Sequence, residues 1–107
     1  EDIQIVRLDV AFDNEQGFNI TQIAKNSKRN ICKRWNTIYF KTAREKRVNQ
    51  YLNIKHYFKR EIKLYRLEFV FCKKYFTKKE PFELMEKTIK NILKKPFKFE
   101  EDLNLLS

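Results

Sequence analysis

The chain has 107 residues, of which 42% are hydrophobic and 15% aromatic, a composition typical of one folded domain that excludes a disordered chain. Its formal net charge of +10 favours a polyanionic partner, with nucleic acid ahead of a membrane, because neutralised phosphates release counterions. The alternative is that its many lysines reflect only an AT-rich genome. No apolar run approaches a membrane span. Cys32, Cys72 and a lone His56 do not supply the four ligands of a structural zinc site. We expect free thiols in a cytoplasmic protein, with a disulfide between the two cysteines as the alternative.

Two segments, residues 3–13 and 64–72, repeat an Arg-Leu-acid phrase inside an alternating pattern. Side chains two residues apart share a face of a strand, so each segment predicts a strand with one apolar face. If the two apolar faces share a core, the carboxylates of Asp9 and Glu68 lie on the opposite face of the same sheet. The predicted apolar rows are Val6, Leu8, Val10 and Phe12 in the first strand and Tyr65, Leu67, Phe69 and Phe71 in the second.

The rest of the pattern predicts two helices and two further strands. A first helix starts at Asn19, with Gln22 at the capping-box position, and its apolar spacing continues to Ile31. Residues 35–42 and 51–58 alternate as strands, and a second helix starts near Pro81. The order β-α-β-β-β-α predicts an α+β fold, with helices on one face of a mainly antiparallel sheet and the other face open.

We expect His56 and Trp35 to have structural rather than functional roles. His56 shares the apolar face of its strand, so we expect a packed, neutral ring. We interpret Trp35 as a core or strand-edge anchor rather than a base-stacking platform.

The open face combines cations, phenols and two acids, which together suit phosphodiester chemistry. Asp9 and Glu68 could hold Mg²⁺ or Mn²⁺ through hard oxygen ligands. Tyr57 could attack phosphorus to form a phosphotyrosine, with Lys55 lowering its pKa or steadying the phosphate. The alternative is that the two acids only form cross-strand ion pairs and that Tyr57 is an ordinary strand tyrosine. Nucleic-acid contacts are expected from Arg7, Tyr39, Lys41, Arg44, Arg47 and Arg66.

Four phrases follow one another along the chain: VRLDVAFDN at residues 6–14, WNTIYF at 35–40, NIKHYFK at 53–59 and YRLEFVF at 65–71. This ordered set resembles the rolling-circle replication initiators, the Rep proteins of plasmids and filamentous phages, in the group related to the trans-acting plasmid initiators. The resemblance covers about residues 3–76.

The resemblance implies a metal-dependent domain that nicks and joins single-stranded or hairpin origin DNA, and it allows a homodimer. It implies that Asp9 and Glu68 bind the metal, that Tyr57 is the nucleophile and that Lys59 is the lysine of a Tyr-x-Lys phrase. Since the chain starts without Met and is shorter than a complete initiator, we interpret it as one domain, a fragment or trimmed core. The alternatives are a non-catalytic module that binds single-stranded DNA or RNA and a structural protein of a nucleoprotein assembly.

Overall fold

The structure is a computed structural model that describes residues 7–42 and 49–99. Its five strands form one antiparallel sheet in the order β1-β5-β4-β3-β2, which confirms the predicted α+β fold. The chain runs through β1 Arg7–Asn14, α1 Ile20–Ser27, β2 Asn30–Arg34, β3 Thr37–Lys41, β4 Leu52–Lys59, β5 Leu64–Cys72, a 3₁₀ helix Lys73–Thr77 and α2 Pro81–Leu93.

The hydrophobic core lies between one face of the sheet and the two helices. Strand β5 supplies Leu67, Phe69 and Phe71, all fully buried, and α2 places Met85 and Ile89 against them at helical spacing. The predicted apolar rows therefore meet in one core from residue 8 onward, except for Tyr65, which is exposed. Residue 6 lies outside the described ranges. Further members of this core are Val10, Ile23, Phe40, Leu52, Ile54, Tyr75, Ile92 and Phe97.

The first helix begins where predicted but is shorter. Asn19 caps it, because its side-chain oxygen accepts the N–H of Gln22 at 3.1 Å. Lys28 ends it in the left-handed region at φ 56°, with its N–H directed at carbonyls of the last turn. The extension to Ile31 is therefore wrong: Ile31 lies in β2, which pairs with β3, and its side chain is exposed. Ile31 fits the helical spacing, but the pairing of β2 with β3 places it in a strand instead.

Strands β2 and β3 form a hairpin whose turn consists of Trp35 and one further residue, since Arg34 pairs with Thr37. Trp35 is 96% exposed. The interpretation of Trp35 as a core or strand-edge anchor is therefore wrong, and the strand predicted from residue 35 begins two residues later.

His56 packs on the core side of β4. Its Nε2 accepts the N–H of Phe18 at 3.2 Å, and its ring stacks on Tyr65. The turn between β1 and α1 approaches this ring at Gly17, where an added Cβ would lie 3.4 Å from Nε2. Gly17 also adopts φ 83°, a conformation that favours glycine. Burial lowers the pKa of His56, so the ring is packed and neutral, as predicted.

Cys32 and Cys72 are both free thiols, as predicted. Within residues 7–42 and 49–99, no helix has the length and apolar character needed to cross a membrane.

The neutral state of His56 predicts a pH-dependent stability. Because the folded pKa lies below the ordinary value of 6.5, the unfolded chain binds a proton first, and stability is lost as pH falls from 6.5 through the folded pKa. We expect the free energy of unfolding, measured with urea, to fall between about pH 7 and about pH 5.5. The decrease in the free energy of unfolding with falling pH should be smaller in His56→Gln, whatever the absolute stability of that variant. Equal slopes in the two proteins would contradict this assignment.

Candidate functional site

The open face of the sheet carries two neighbouring rows of side chains that cross all five strands. Strand pairing places one residue of each strand in each row, and side chains in one row are neighbours. The Tyr57 row consists of Asp13, Arg66, Tyr57, Thr37 and Arg34. The Glu68 row consists of Ala11, Glu68, Lys55, Tyr39 and Cys32.

The two rows are joined by a hydrogen bond between a phenol and a carboxylate. Tyr57 Oη donates to Glu68 Oε2 at 2.9 Å, diagonally across β4 and β5. Lys55 Nζ lies 3.7 Å from the other carboxylate oxygen and 5.5 Å from the centre of the Tyr57 ring. Although Glu68 lies on the open face, it is only 8% exposed. Its buried charge is thus matched on both oxygens, and this holds the Tyr57 hydroxyl in place.

The protonation of Tyr57 follows from these contacts. Burial raises the pKa of its phenol, and the hydrogen bond and negative charge of Glu68 raise it further, while Arg66 acts in the opposite direction. The phenol is therefore protonated at neutral pH. A reaction through Tyr57 would need a base, and the acceptor already in contact with its proton is Glu68.

Arg66 is held by Asp13, an acid that was not among the predicted site residues. Its guanidinium donates two hydrogen bonds to Asp13, at 2.8 and 3.0 Å, across β5 and β1. This hydrogen bonding lowers the pKa of the Asp13 carboxyl. Alternation already put Asp13 on the open face, but only the strand register shows that it faces Arg66. Arg66 is consequently not free to neutralise Glu68.

Asp9 and Glu68 are diagonal neighbours on the open face, and each carboxylate has its own partners. Asp9 is paired with Val70 in the register, whereas Glu68 is paired with Ala11. The Asp9 carboxylate accepts two hydrogen bonds from Arg7, at 2.7 and 2.8 Å. Both acids are therefore engaged by their own partners.

These surroundings bear on the expected divalent metal. In the described ranges, no group of three or more His, Cys, Asp or Glu side chains is placed to hold one ion. The oxygens of Asp9 and Glu68 already bind Arg7, Tyr57 and Lys55. As arranged, these residues do not fit a preformed metal site, and the requirement for Mg²⁺ or Mn²⁺ stays a prediction.

The two halves of the open face differ in charge compensation. The cations of β1 and β5 are bound to acids, as described above. On the other side, Arg34 and Lys41 form no ion pair with another described residue, and Lys41 lies 5.8 Å from the centre of the Tyr39 ring. Lys59 follows Tyr57 on the same face of β4. The predicted contacts Arg44 and Arg47 lie outside the described residues.

A scan against models of protein families, a search of curated proteins and a search of solved structures each found no significant match. Function is therefore inferred from the residues of the chain itself.

The contact between Glu68 and Tyr57 should affect the pKa of the Tyr57 phenol. In Glu68→Gln the negative charge is lost while Lys55 remains, so the pKa of Tyr57 should fall relative to wild type. NMR titration of the tyrosine ring carbons would measure it, with Tyr57→Phe identifying the resonance.

Asp9→Asn is the matched control, since it removes an open-face carboxylate that binds Arg7 instead. An unchanged pKa in Glu68→Gln, or an equal fall in Asp9→Asn, would contradict the contact.

Proposed function

We propose that the chain acts on single-stranded DNA as the nicking and joining domain of a rolling-circle replication initiator, with Tyr57 as nucleophile. The observation that carries this is the hydrogen bond of 2.9 Å from Tyr57 Oη to Glu68 Oε2 on the open face of a chain with a net charge of +10. A nucleophile within hydrogen-bond reach of a base is the arrangement that covalent catalysis requires. The ordered phrases that resemble the initiators support the same function.

The reaction assigned to this site is a transesterification. Tyr57 Oη forms a bond to the phosphorus of a phosphodiester, the bond from phosphorus to one bridging ribose oxygen breaks, and the phenolic proton passes to Glu68. The leaving ribose oxygen takes a proton from solvent, and the reverse reaction rejoins the strand. Lys55 and Lys59, on the same face of β4, stabilise negative charge on the other phosphate oxygens. No step passes through a metal ion, which stays a prediction from the sequence and the resemblance.

The proposed partner is single-stranded or hairpin origin DNA. The absence of a membrane partner, a homodimer and a cytoplasmic location all stay predictions from the sequence.

A second candidate is a module that binds single-stranded nucleic acid without cutting it. It is favoured by the two hydrogen bonds from Arg7 to Asp9, which occupy carboxylate oxygens that a metal-dependent reaction would need. Tyr39 and Tyr57 among lysines would provide the stacking surfaces and the positive charge of such a module.

Trapping the covalent product separates the two candidates. The protein is incubated with single-stranded oligonucleotides in Mn²⁺, Mg²⁺ or EDTA, and adducts are resolved on a denaturing gel. We expect an adduct in wild type and none in Tyr57→Phe, because the nucleophile is gone. Glu68→Gln should slow cleavage by a factor on the order of 10²–10⁴, because the base is gone.

Tyr65→Phe is the matched control, since Tyr65 lies on the other face of the sheet, and it should cleave like wild type. An adduct that persists in Tyr57→Phe would contradict the assigned nucleophile. Tight, salt-sensitive binding without cleavage in all three conditions would favour the second candidate.

The uncompensated cations predict where phosphates bind. Arg34→Ala and Lys41→Ala should each weaken single-stranded DNA binding and reduce the slope of log K against log salt by about 0.7, because each removes one phosphate contact. Fluorescence anisotropy of a labelled oligonucleotide at several salt concentrations measures both quantities.

Lys87→Ala removes the same charge from an exposed position on α2 and should leave the slope unchanged. An equal loss in Lys87→Ala would show that net charge alone drives binding.

A further inference from the structure

The turn between β2 and β3 carries an aromatic side chain in an unfavourable position. Trp35 is 96% exposed and adopts φ 55°, in the left-handed region. Bulky residues rarely adopt this conformation, and two-residue hairpin turns favour Asn, Asp or Gly where φ is positive. Exposure gives the indole no packing energy, and the backbone strain opposes folding. Neither the core nor the turn therefore explains a tryptophan at this position, which is the pattern expected of a residue that serves binding.

The surroundings of Trp35 are cationic. Lys33 and Arg34 precede it directly, and the chain has no Asp or Glu from residue 16 to residue 42. This charge complements a polyanion.

The hairpin also lies beside the proposed reaction site. Arg34 belongs to the Tyr57 row, and Thr37 stands between it and Tyr57. Two strand spacings separate Arg34 from Tyr57, about 10 Å. A DNA strand that crosses the open face along this row would leave the sheet at Trp35.

We propose that Trp35 stacks on an unpaired base of the strand bound on the open face, so that the chain selects an unstacked single strand over a continuous duplex. This inference rests on the proposed function and adds a residue that recognises its single-stranded substrate. Aromatic side chains stack on bases of any sequence, because every base has a π-face, whereas the bases of a duplex already stack on each other. Stacking on Trp35 would therefore distinguish the strandedness of DNA without reading its sequence.

Trp35 reports on its own contact, because it is the only tryptophan of the chain. The protein is titrated with a dT oligonucleotide while indole emission and acrylamide quenching are recorded, and binding is followed independently by anisotropy of the labelled oligonucleotide. We expect emission to be quenched in step with binding and the bound indole to be protected from acrylamide. A duplex of equal length should produce less quenching.

Variants separate stacking from folding. Trp35→Gly should bind the oligonucleotide about tenfold more weakly, because a stacked base is lost. It should nevertheless unfold at a higher temperature, because glycine adopts the positive φ without strain. Phe82→Ala removes another exposed aromatic side chain, on α2, and should bind like wild type.

The outcomes distinguish this inference from the proposed function. Quenching without a covalent adduct supports the role of Trp35 and counts against the nicking reaction. Anisotropy that shows binding while Trp35 emission is unchanged overturns the inference and leaves the proposed function standing, as does equal quenching by the duplex. An emission change with phosphatidylserine vesicles but not with DNA overturns it in favour of a membrane surface. No binding of any oligonucleotide overturns both.

Discussion

Strand β5 is paired with β1 on one edge and with β4 on the other, and its side chains cannot change face without destroying the core. Leu67, Phe69 and Phe71 are fully buried on one side, so alternation puts Glu68 on the other. A slip of one residue would move the carboxylate into the apolar core, where an unpaired charge is very costly. The register that builds the core is therefore the same register that places Glu68 beside Tyr57.

Among the described residues, the open face has two halves, one in which the cations are paired with acids and one in which they are not. On β1 and β5, Arg7 binds Asp9 and Arg66 binds Asp13, so those cations serve the sheet itself. Toward β3 and β2 the positive charge is uncompensated within the described part of the chain, and aromatic side chains lie between the cations. Tyr57 stands at the border between these halves, on β4. A phosphate chain attracted to the cationic half would thus meet the phenol at its edge.

Local periodicity was enough to predict β5, the apolar rows and the side of His56, because alternation is a property of each strand alone. It could not predict β2, since Ile31 fits a helical spacing and only pairing with β3 shows that it lies in a strand. The position of Trp35 was missed for the same reason. Asp9 and Glu68 share a face, as alternation requires, but their separate partners depend on a register that no single strand encodes.

We propose that a single DNA strand binds to the open face and not to the helical side. A residue-resolved NMR titration with a short oligonucleotide tests it most directly. If a strand binds there, chemical-shift changes should concentrate at Tyr57, Thr37 and Arg34 and be small along α1 and α2. Changes that instead concentrate on the two helices, with the open face unaffected, would contradict it.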